Sequence, residues 1–398
     1  MVQNETVFTR SKSDNDQSAD LRKESRFGIA GQAETPGDGS LKPEVPLIQL
    51  GIGTVGRELI KKVISWNREE SSKPKYQYKG FADRSGLMAK KAGYSEEELE
   101  RVKKVKSDED ELAEVYENAT NNIGYLKSFM DRRNSGVLVD VTDARKFGDL
   151  YRLALDRGWS VVLANKIPLT TIDPGEFGRL KGKGIRYETT VGAGLPVIST
   201  LDHLNRHGEE FKEIAAILSG SLSYILSRVE VGAGLKQAVL EAKEKGFTEP
   251  NPVEDLLGYD VARKTVILGR SLGLEVSFED IELTPLVSLE KDNPSRDELA
   301  SLLEERNEDF CERVKSARSR ENRLRYVARI NEEGATVGLE EVSRDGPLGQ
   351  GVSTANVVIF RTLNYDDPPL IVQGPGAGPE VTAGGVFSDI KRCRARCR

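Results

Sequence analysis

The chain has 398 residues, of which 37% are hydrophobic and 31% are charged, and its formal net charge is −6. This length predicts two or three domains. The negative charge gives no electrostatic support for general nucleic-acid binding. The longest apolar runs, such as Ser160–Ala164, are strand-sized and far shorter than the roughly 20 residues that a membrane span needs. We therefore expect no membrane and no nucleic-acid partner.

The cysteines and histidines give no metal or disulfide pattern. Cys311, Cys393 and Cys397 have no recognisable disulfide or zinc spacing, which is typical of a reducing compartment and predicts a cytoplasmic protein. His203 and His207 are four residues apart but lack the intervening Glu of the zincin pattern. We interpret both as surface residues.

The two ends of the chain differ in composition from the rest. Residues 1–44 are rich in Ser, Asp, Lys, Gln and Gly and carry no periodic apolar residues. Such a segment buries too little apolar surface to offset its chain entropy, so we predict that it is disordered. It has no apolar core of a signal peptide, and its acidic residues are not typical of a transit peptide. Lys391–Arg398 is interpreted as a basic, solvated tail.

The first half of the ordered chain alternates short apolar runs with helical patterns. The helices are expected at Val55–Trp66, in the charged stretch Ser95–Asn118 and at Phe147–Arg157. This alternation predicts an α/β fold with a Rossmann-type, doubly wound parallel sheet. Its strands are expected at Val45–Leu50, Tyr76–Ala82, Val137–Val141 and Ser160–Ala164.

The second half mixes helices and strands and predicts an α+β region. The helical patterns are Leu235–Lys245, Leu256–Leu272, the charged Ser295–Ser316, and a last helix near Val381–Ile390 that follows the glycine-rich turn Gly374–Gly378. The predicted strands are Arg186–Glu188, Ile214–Leu218, Leu324–Ile330, Thr336–Glu341, Val357–Thr362 and Leu370–Gln373.

A glycine-rich turn lies between the first strand and the first helix. Gly51, Gly53 and Gly56 have the G-x-G-x-x-G spacing. In dinucleotide-binding proteins the first glycine allows the tight turn, the second lets the backbone approach a pyrophosphate, and the third lets the helix pack on the strand. The helix N-terminus then offers free N–H groups to the phosphates. We expect Gly51, Ile52, Gly53, Thr54, Val55 and Gly56 to bind the cofactor; the alternative is a glycine turn without a ligand.

The end of the second strand leaves the choice between NAD and NADP open. Asp83 could accept hydrogen bonds from ribose hydroxyls, as in NAD sites, and Arg84 could pair with the 2′-phosphate of NADP. The sequence carries both residues, so the prediction is NADP or NAD.

Ala242–Lys264 carries the most specific pattern in the chain, and it resembles the signature of homoserine dehydrogenases. Three further segments resemble the family in the same order: Ala164–Lys166, Tyr187–Pro196 and Gly374–Ala383. The likeness covers about Val45–Ile390. Ser219–Tyr224 and Leu324–Val327 resemble the branch that includes the yeast enzyme and the dehydrogenase half of aspartokinase–homoserine dehydrogenase fusions.

The chain departs from the family pattern at two positions. Ile167 stands where many members carry a second lysine. Phe247 stands where a tyrosine is common, so a hydrogen bond from that hydroxyl is lost.

The resemblance implies NAD(P)-dependent interconversion of L-aspartate 4-semialdehyde and L-homoserine, a step of threonine and methionine biosynthesis. As hydride reaches the aldehyde carbon, the oxygen gains negative charge and needs a cation or proton donor beside it. Lys264 is our candidate for that donor, and Lys166 is implied to be a second catalytic or cofactor-side lysine. Asp260 and Lys264 are four residues apart and share one helical face; the alternative is a surface ion pair.

The resemblance also implies the remaining site residues. Glu249 and Asp260 are expected to bind the substrate's amino end, and Asp255 to order the site. Thr142 and Gly378 are expected on the cofactor side. A monovalent cation, usually sodium, is implied at the backbone carbonyls of Glu188, Val191, Ala193 and Leu195; oxygen ligands suit such a hard cation. The alternative is a glycine turn closed by its own hydrogen bonds.

From these elements we predict a dinucleotide-binding domain over residues 45–191 and 374–398. A catalytic domain is expected over 200–323 and a small β-rich dimerisation region over 192–199 and 324–373. Edge strands and the resemblance both predict a homodimer.

The competing functions are another dehydrogenase of small amino or hydroxy acids and a nucleotide sensor with an inactive site. A thiol-dependent aldehyde dehydrogenase is disfavoured, because no cysteine lies in a plausible cleft motif.

Overall fold

The computed structural model describes residues 44–69, 75–107, 123–130, 135–145, 148–248, 252–289, 294–350 and 354–393. The predicted disordered extension, apart from Glu44, lies outside these ranges, as do most of the basic tail and Glu249. No helix in the described ranges is long and apolar enough to cross a membrane.

Apolar strands of the first half form the predicted Rossmann-type sheet. Its order is β3-β2-β1-β4-β5, and β2, β1, β4 and β5 run parallel, while the short edge strand β3 is antiparallel to β2. The strand order reverses between β1 and β4, and in such sheets ligands bind at the carboxyl ends of the strands at this point. The strands are β1 (Glu44–Leu50), β2 (Lys75–Ala82), β3 (Leu87–Ala89), β4 (Val137–Asp140) and β5 (Ser160–Leu163).

Helices follow or connect these strands, as the alternation predicts. In chain order they are α1 (Thr54–Arg68), α2 (Glu96–Ser107), α3 (Ile123–Phe129), α4 (Gly148–Asp156), α5 (Ile167–Thr171), α6 (Pro174–Lys183), α7 (Val197–His207), α8 (Gly220–Glu230), α9 (Leu235–Glu244), α10 (Val253–Leu256), α11 (Tyr259–Leu272), α12 (Arg296–Glu305), α13 (Asn307–Ser319) and α14 (Pro379–Cys393).

A second, six-stranded sheet has the order β11-β10-β6-β8-β9-β7. The late strands do not form a sheet of their own, because β6 from the predicted catalytic segment pairs antiparallel with both β8 and β10. This pairing joins the predicted catalytic and dimerisation segments in one sheet. The strands are β6 (Phe211–Ile217), β7 (Ile281–Leu283), β8 (Asn322–Asn331), β9 (Gly334–Ser343), β10 (Ala355–Thr362) and β11 (Leu370–Pro375).

The largest core cluster joins the two sheets. It contains Ile48 and Leu138 from the parallel sheet and Ile214 and Phe360 from the inner face of the six-stranded sheet, with helices between them. A smaller cluster on the outer face of the six-stranded sheet includes Ile359. Period-2 alternation along β6 sends successive side chains to these two clusters.

The last helix, α14, returns to the parallel sheet. Val386 and Ile390 belong to the core cluster on the side of this sheet that α1 covers. Phe387 meets Trp66 and Tyr76 edge-on, with ring centroids 5.5 and 5.6 Å apart. Residues from both ends of the described chain therefore build the same layer.

Three predicted elements differ from the structure. The strand predicted at Arg186–Glu188 is only a single bridge from Arg186 to Val162, after which the chain enters the 3₁₀ turn Glu188–Thr190. The helix predicted at Leu256–Leu272 is divided into α10 and α11, because Gly258 between them has φ +77°. The charged helix predicted at Ser295–Ser316 is divided into α12 and α13 at Arg306.

Candidate functional site

The glycine turn has the geometry that its spacing predicts. Gly51 has φ +96°, and a Cβ there would lie 2.9 Å from the Val141 carbonyl oxygen. A Cβ on Gly53 would meet no atom within 4 Å, so the middle of the turn borders open space. A Cβ on Gly56 would lie 2.3 Å from the Gly51 carbonyl oxygen, which explains the need for glycine where α1 packs on the turn. This is a cradle that a side chain would fill, and it fits a bound pyrophosphate.

The rest of the motif frames this cradle. Ile52 is buried, Thr54 begins α1 and is exposed, and Val55 packs against the core on the α1 side of the sheet. The Gly51 N–H donates to the carbonyl oxygen of Ala82 at the end of β2, at 2.7 Å. The turn is thereby fixed to the neighbouring strand.

A buried glutamine that sequence reasoning missed supports the turn from below. Gln49, in β1, is fully buried, and its Nε2 donates to the carbonyl oxygens of Gly51 at 2.8 Å and Gly56 at 3.1 Å. The hydroxyl of Tyr78 donates to Gln49 Oε1 at 2.8 Å. A polar residue in an otherwise apolar strand, two positions before the first glycine, was the available signal.

Asp83 and Arg84 follow β2, the strand beside β1. Asp83 Oδ1 accepts hydrogen bonds from the Ser85 N–H at 2.9 Å, the Ser85 hydroxyl at 2.6 Å and the Gly86 N–H at 3.2 Å. This carboxylate oxygen therefore closes its own turn. Arg84 is exposed.

A buried polar network joins the carboxyl ends of β4 and β5. Asp140 is fully buried and accepts hydrogen bonds from the Thr142 N–H at 2.8 Å, from Asn165 Nδ2 at 3.0 Å and from the Tyr151 hydroxyl. Burial raises the pKa of Asp140 despite these three donors. A Cβ on Gly51 would lie 3.0 Å from Thr142 Cγ2, so Thr142 borders the glycine turn.

The same network sets the start of the lysine segment. Asn165 Oδ1 accepts a hydrogen bond from the Ile167 N–H at 3.1 Å, and Lys166 between them precedes α5. Lys166 thus leaves the sheet at the carboxyl end of β5, two strands from the glycine turn. Neighbouring strands lie about 4.8 Å apart, which puts the two chain segments roughly 10 Å apart.

Lys166, Asp260 and Lys264 form one cluster. Asp260 Oδ1 lies 3.1 Å from Lys166 Nζ, and its Oδ2 lies 2.7 Å from Lys264 Nζ. Lys264 is buried, and its Nζ also donates to the Leu218 carbonyl oxygen at 2.6 Å. Burial alone would raise the pKa of Asp260, but the Lys264 and Lys166 ammonium groups outweigh it and hold this pKa well below its usual range. The cluster therefore holds an ionised carboxylate between two lysines.

Local sequence explains how α11 presents this cluster. Gly258 adopts φ +77° just before the helix, and a Cβ there would lie 2.0 Å from the Tyr326 hydroxyl oxygen. Asp260 then lies in the first turn of α11, where a negative charge interacts favourably with the helix dipole. Lys264 follows one turn later on the same face, as its spacing predicts.

Asp255 and Glu249 are the other two predicted substrate residues. Asp255 Oδ1 accepts a hydrogen bond from the Ser221 hydroxyl at 2.8 Å, and Ser221 lies 2.9 Å from the hydroxyl of Ser219, which caps α8. Asp255 therefore connects α10 to the start of α8. Glu249 lies outside the described residues, so its position stays a prediction.

The segment predicted to bind a cation has an unusual backbone. Gly192 and Ala193 both have positive φ, at +80° and +52°. The carbonyl oxygens of Glu188 and Leu195 each accept one backbone hydrogen bond, and Val191 is fully buried. The cation role of Glu188, Val191, Ala193 and Leu195 stays a prediction.

The side chain of Glu188, unlike its carbonyl group, is not part of the predicted cation site, and it has partners within the protein. The Glu188 carboxylate accepts from the N–H groups of Ile198 and Ser199 and lies 3.5 Å from Arg392. Within the described ranges, no group of three or more His, Cys, Asp or Glu side chains could hold a metal ion. His203 and His207 are exposed on α7.

The final glycine loop lies beside the start of α1, which follows the glycine turn. Pro379, which follows Gly378, lines the same surface cavity as Thr54, Arg57 and Glu58 at the start of α1. Gly378 itself has φ +123°, and a Cβ there would meet no atom within 4 Å. The cofactor role of Gly378 stays a prediction.

Fold and site together define a Rossmann-type protein whose glycine turn has the geometry of dinucleotide-binding sites and whose cluster holds two lysines and a carboxylate. Residues 196–390 match the family model described as homoserine dehydrogenase. A bifunctional aspartokinase/homoserine dehydrogenase of Haemophilus influenzae is 35% identical over 88% of this chain. Residues 196–390 therefore belong to the homoserine dehydrogenase family, and the likeness to this relative extends over 88% of the chain. It spans 43% of the length of that bifunctional relative.

Solved structures show the same likeness over 89% of this chain. A hyperthermophilic archaeal homoserine dehydrogenase in complex with NADPH has a TM-score of 0.70 and 27% identity, covering 89% of this chain and 100% of its own. A Candida auris protein of unknown function has a TM-score of 0.76 and 28% identity, covering 89% of this chain and 99% of its own. The predicted Rossmann-type fold is confirmed.

Proposed function

We propose that this protein catalyses the NAD(P)-dependent interconversion of L-aspartate 4-semialdehyde and L-homoserine. One observation carries the proposal: Asp260 binds both Lys166 and Lys264 at the sheet edge where the open glycine turn lies. Family membership supplies the substrate pair. The bound nicotinamide would supply the hydride that reduces the aldehyde carbon.

The chain's own residues would hold the cofactor at the switch point of the sheet. The open space at Gly53 and the first-turn N–H groups of α1, whose N-cap residue Gly53 makes no side-chain capping bond, suit a pyrophosphate. Thr142 borders Gly51 and would lie near the nicotinamide ribose. Gly378 and the adjacent Pro379 would cover this site from the other side.

Lys264 is the proposed proton donor to the substrate oxygen. Its ammonium has three N–H bonds, and Asp260 and the Leu218 carbonyl oxygen accept two of them among the described residues. The third can point at the oxygen on which negative charge develops. In homoserine oxidation the neutral Lys264 amine would accept the proton of the hydroxyl group, and the carbon that bears this hydroxyl would give its hydride to the oxidised nicotinamide.

The carboxylates would bind the other end of the substrate. Glu249 and Asp260 would hold the ammonium, and Asp255 would order the site through Ser221. Lys166 would complete the cluster from the cofactor side. Its positive charge also helps to keep Asp260 ionised, because it lies 3.1 Å from one carboxylate oxygen.

The test is a direct assay of purified protein. Oxidation of L-homoserine with NAD⁺ or NADP⁺ and reduction of L-aspartate 4-semialdehyde with NADH or NADPH are followed at the nicotinamide absorbance. Turnover of both substrates is expected, and the two cofactors compared side by side give the preference that Asp83 and Arg84 leave open. Cofactor binding without turnover would instead support a nucleotide sensor. Turnover confined to other small amino or hydroxy acids would support a different dehydrogenase.

We also propose a sodium ion at the carbonyl groups of Glu188, Val191, Ala193 and Leu195. The support is the family resemblance and the consecutive left-handed residues Gly192 and Ala193. Replacing NaCl by choline chloride at constant ionic strength should lower the melting temperature and the activity. Equal values in both salts would exclude the ion.

A homodimer is proposed from the six-stranded sheet. Its edge strand β11 carries Ile371, whose exposed fraction is 40%, and an unpaired edge favours association. Light scattering at micromolar concentration should give twice the chain mass. A monomer there would contradict the proposal.

A cytoplasmic location and a role in threonine and methionine biosynthesis are further proposals. Cys311 is a free cysteine, which fits a reducing compartment. Cell fractionation checks the location. Growth of a homoserine-requiring strain that carries this gene checks the biosynthetic role.

A further inference from the structure

The two lysines of the cluster come from different parts of the fold. Lys166 directly precedes α5, whereas Asp260 and Lys264 lie on α11. The contact between Lys166 and Asp260 therefore depends on how α5 and α11 are held together. Nothing in the cluster itself fixes that arrangement, since its Lys166–Asp260 contact is one ion pair between partly exposed side chains.

Arg270, near the end of α11, connects these two helices. Its side chain is buried, with an exposed fraction of 3%. Its Nη1 donates to the carbonyl oxygens of Leu169 and Ile172, both at 2.8 Å, and its Nε donates to the Val276 carbonyl oxygen at 2.7 Å. Leu169 and Ile172 belong to the end of α5, where carbonyl groups lack partners within the helix.

Burying a guanidinium group at this position costs desolvation free energy. All three of these hydrogen bonds go to neutral carbonyl oxygens, and burial lowers the pKa of Arg270 although Asp173, Asp280 and Glu279 act on it from a distance. An apolar side chain of similar volume would often be as stable or more stable. Packing alone therefore does not explain the arginine. Its rigid, planar donor set can bind two carbonyl groups at the end of α5 and the Val276 carbonyl after α11 at the same time.

We propose that Arg270 is a positioning residue for the lysine cluster. It binds the end of α5 to α11 and thereby keeps Lys166 within reach of Asp260. This proposal rests on the proposed function for its kinetic consequence. Its structural consequence, the placement of Lys166, is independent of the reaction.

The test compares Arg270→Met and Arg270→Lys with a matched control, Arg325→Met. Arg325 is also buried, with an exposed fraction of 5%, and it donates to the carbonyl oxygens of Leu324 and Gly349. It lies in β8 and binds Glu230 rather than any part of the lysine cluster. Loss of a buried arginine is thus common to both Met variants, whereas loss of the α5–α11 connection is specific to Arg270.

The kinetic readout separates positioning from stability. A displacement of about 1 Å of a catalytic group can lower turnover by on the order of 100-fold. We expect kcat to fall about 10- to 100-fold in Arg270→Met and less in Arg270→Lys. The dissociation constant of NADPH, measured by fluorescence titration, should change little. A kcat in Arg270→Met equal to that of Arg325→Met at matched folded fraction would overturn the proposal.

The second readout needs no activity. Brief acetylation with acetic anhydride, followed by mass spectrometry of the Lys166 peptide, reports how firmly Asp260 holds Lys166. Labelling should rise several-fold in Arg270→Met and stay at the parental level in Arg325→Met; parental labelling in both would overturn the proposal. If Arg270→Met does not fold, Arg270→Lys is judged by the same two criteria. If the parent protein does not oxidise homoserine while Arg270→Met still shows increased Lys166 labelling, the proposed function is refuted and the positioning role of Arg270 is left intact.

Discussion

Replacement of Lys264 tests the proposed proton transfer most directly. Lys264→Met keeps a long side chain but removes every N–H donor. Two partners lose a hydrogen bond: the buried Leu218 carbonyl oxygen at 2.6 Å and Asp260 at 2.7 Å. A buried acceptor left without a partner costs about 1–3 kcal/mol of stability. The melting temperature should therefore fall by a few degrees while the protein stays folded.

The loss of activity should be much larger than this loss of stability. A positioned acid or base contributes about 10²–10⁴-fold to rate, so kcat for homoserine oxidation should fall by that order. NADPH affinity should survive, because Lys264 lies on α11 and not in the glycine turn. Lys264→Arg is the sharper variant. Arg keeps the positive charge but does not release its proton, so it should be nearly as slow as Met.

The assay is steady-state oxidation of homoserine, with circular dichroism and NADPH titration on the same samples. High activity in Lys264→Arg would mean that Lys264 supplies charge and does not transfer a proton. Turnover of Lys264→Met within about threefold of the parent rate, far short of the loss expected for an acid–base group, would refute the assignment. The role would then pass to Lys166.

Four further substitutions test the glycine turn, its support by Gln49 and the backbone that precedes α11. Gly53→Val should abolish cofactor binding with an unchanged fold, because its Cβ enters the open space. Gly56→Ala should instead destabilise the protein, because its Cβ lies 2.3 Å from a carbonyl oxygen. Thermal melts combined with NADPH titration distinguish the two outcomes. Gln49→Leu leaves two buried carbonyl oxygens without their donor, which should cost about 1–3 kcal/mol of unfolding free energy and weaken NADPH binding; unchanged affinity would show that Gln49 only stabilises the strand. Gly258→Ala should destabilise by at least about 1 kcal/mol from its positive φ alone, and adding Tyr326→Phe should recover part of the loss if the 2.0 Å approach to the Tyr326 hydroxyl contributes.

Local pattern predicted the parallel sheet well. Its buried strands are short apolar runs between helices, so β1, β2, β4 and β5 begin and end within a residue or two of the expected bounds. The six-stranded sheet was harder to predict. The pairing of β6 with β8 and β10 joins residues more than 100 positions apart, and the periodicity of a strand does not indicate which distant strand it pairs with. Helix α8 was missed because its Ser-Gly-Ser start gives little helical signal.

In the site, too, a contact within one helix was predicted and contacts between distant segments were not. The spacing of Asp260 and Lys264 predicted their contact, because four residues make one helical turn. The approach of Lys166 to Asp260 is a tertiary contact that no spacing contains. Arg270 was missed for the same reason, because its carbonyl partners Leu169 and Ile172 are 101 and 98 positions away in the chain. Gln49 bonds carbonyl groups only two and seven positions along the chain, and its signal was a polar residue in an apolar strand.

The return of α14 to the first sheet has a consequence for synthesis. Phe387 packs on Trp66, a residue more than 300 positions earlier. Domains generally fold as they leave the ribosome, N-terminal part first. The apolar surface around Trp66 and Tyr76 therefore stays uncovered in the nascent chain until α14 has been translated and has left the exit tunnel. Premature termination before Pro379 would leave this side of the parallel sheet without the helix that covers it.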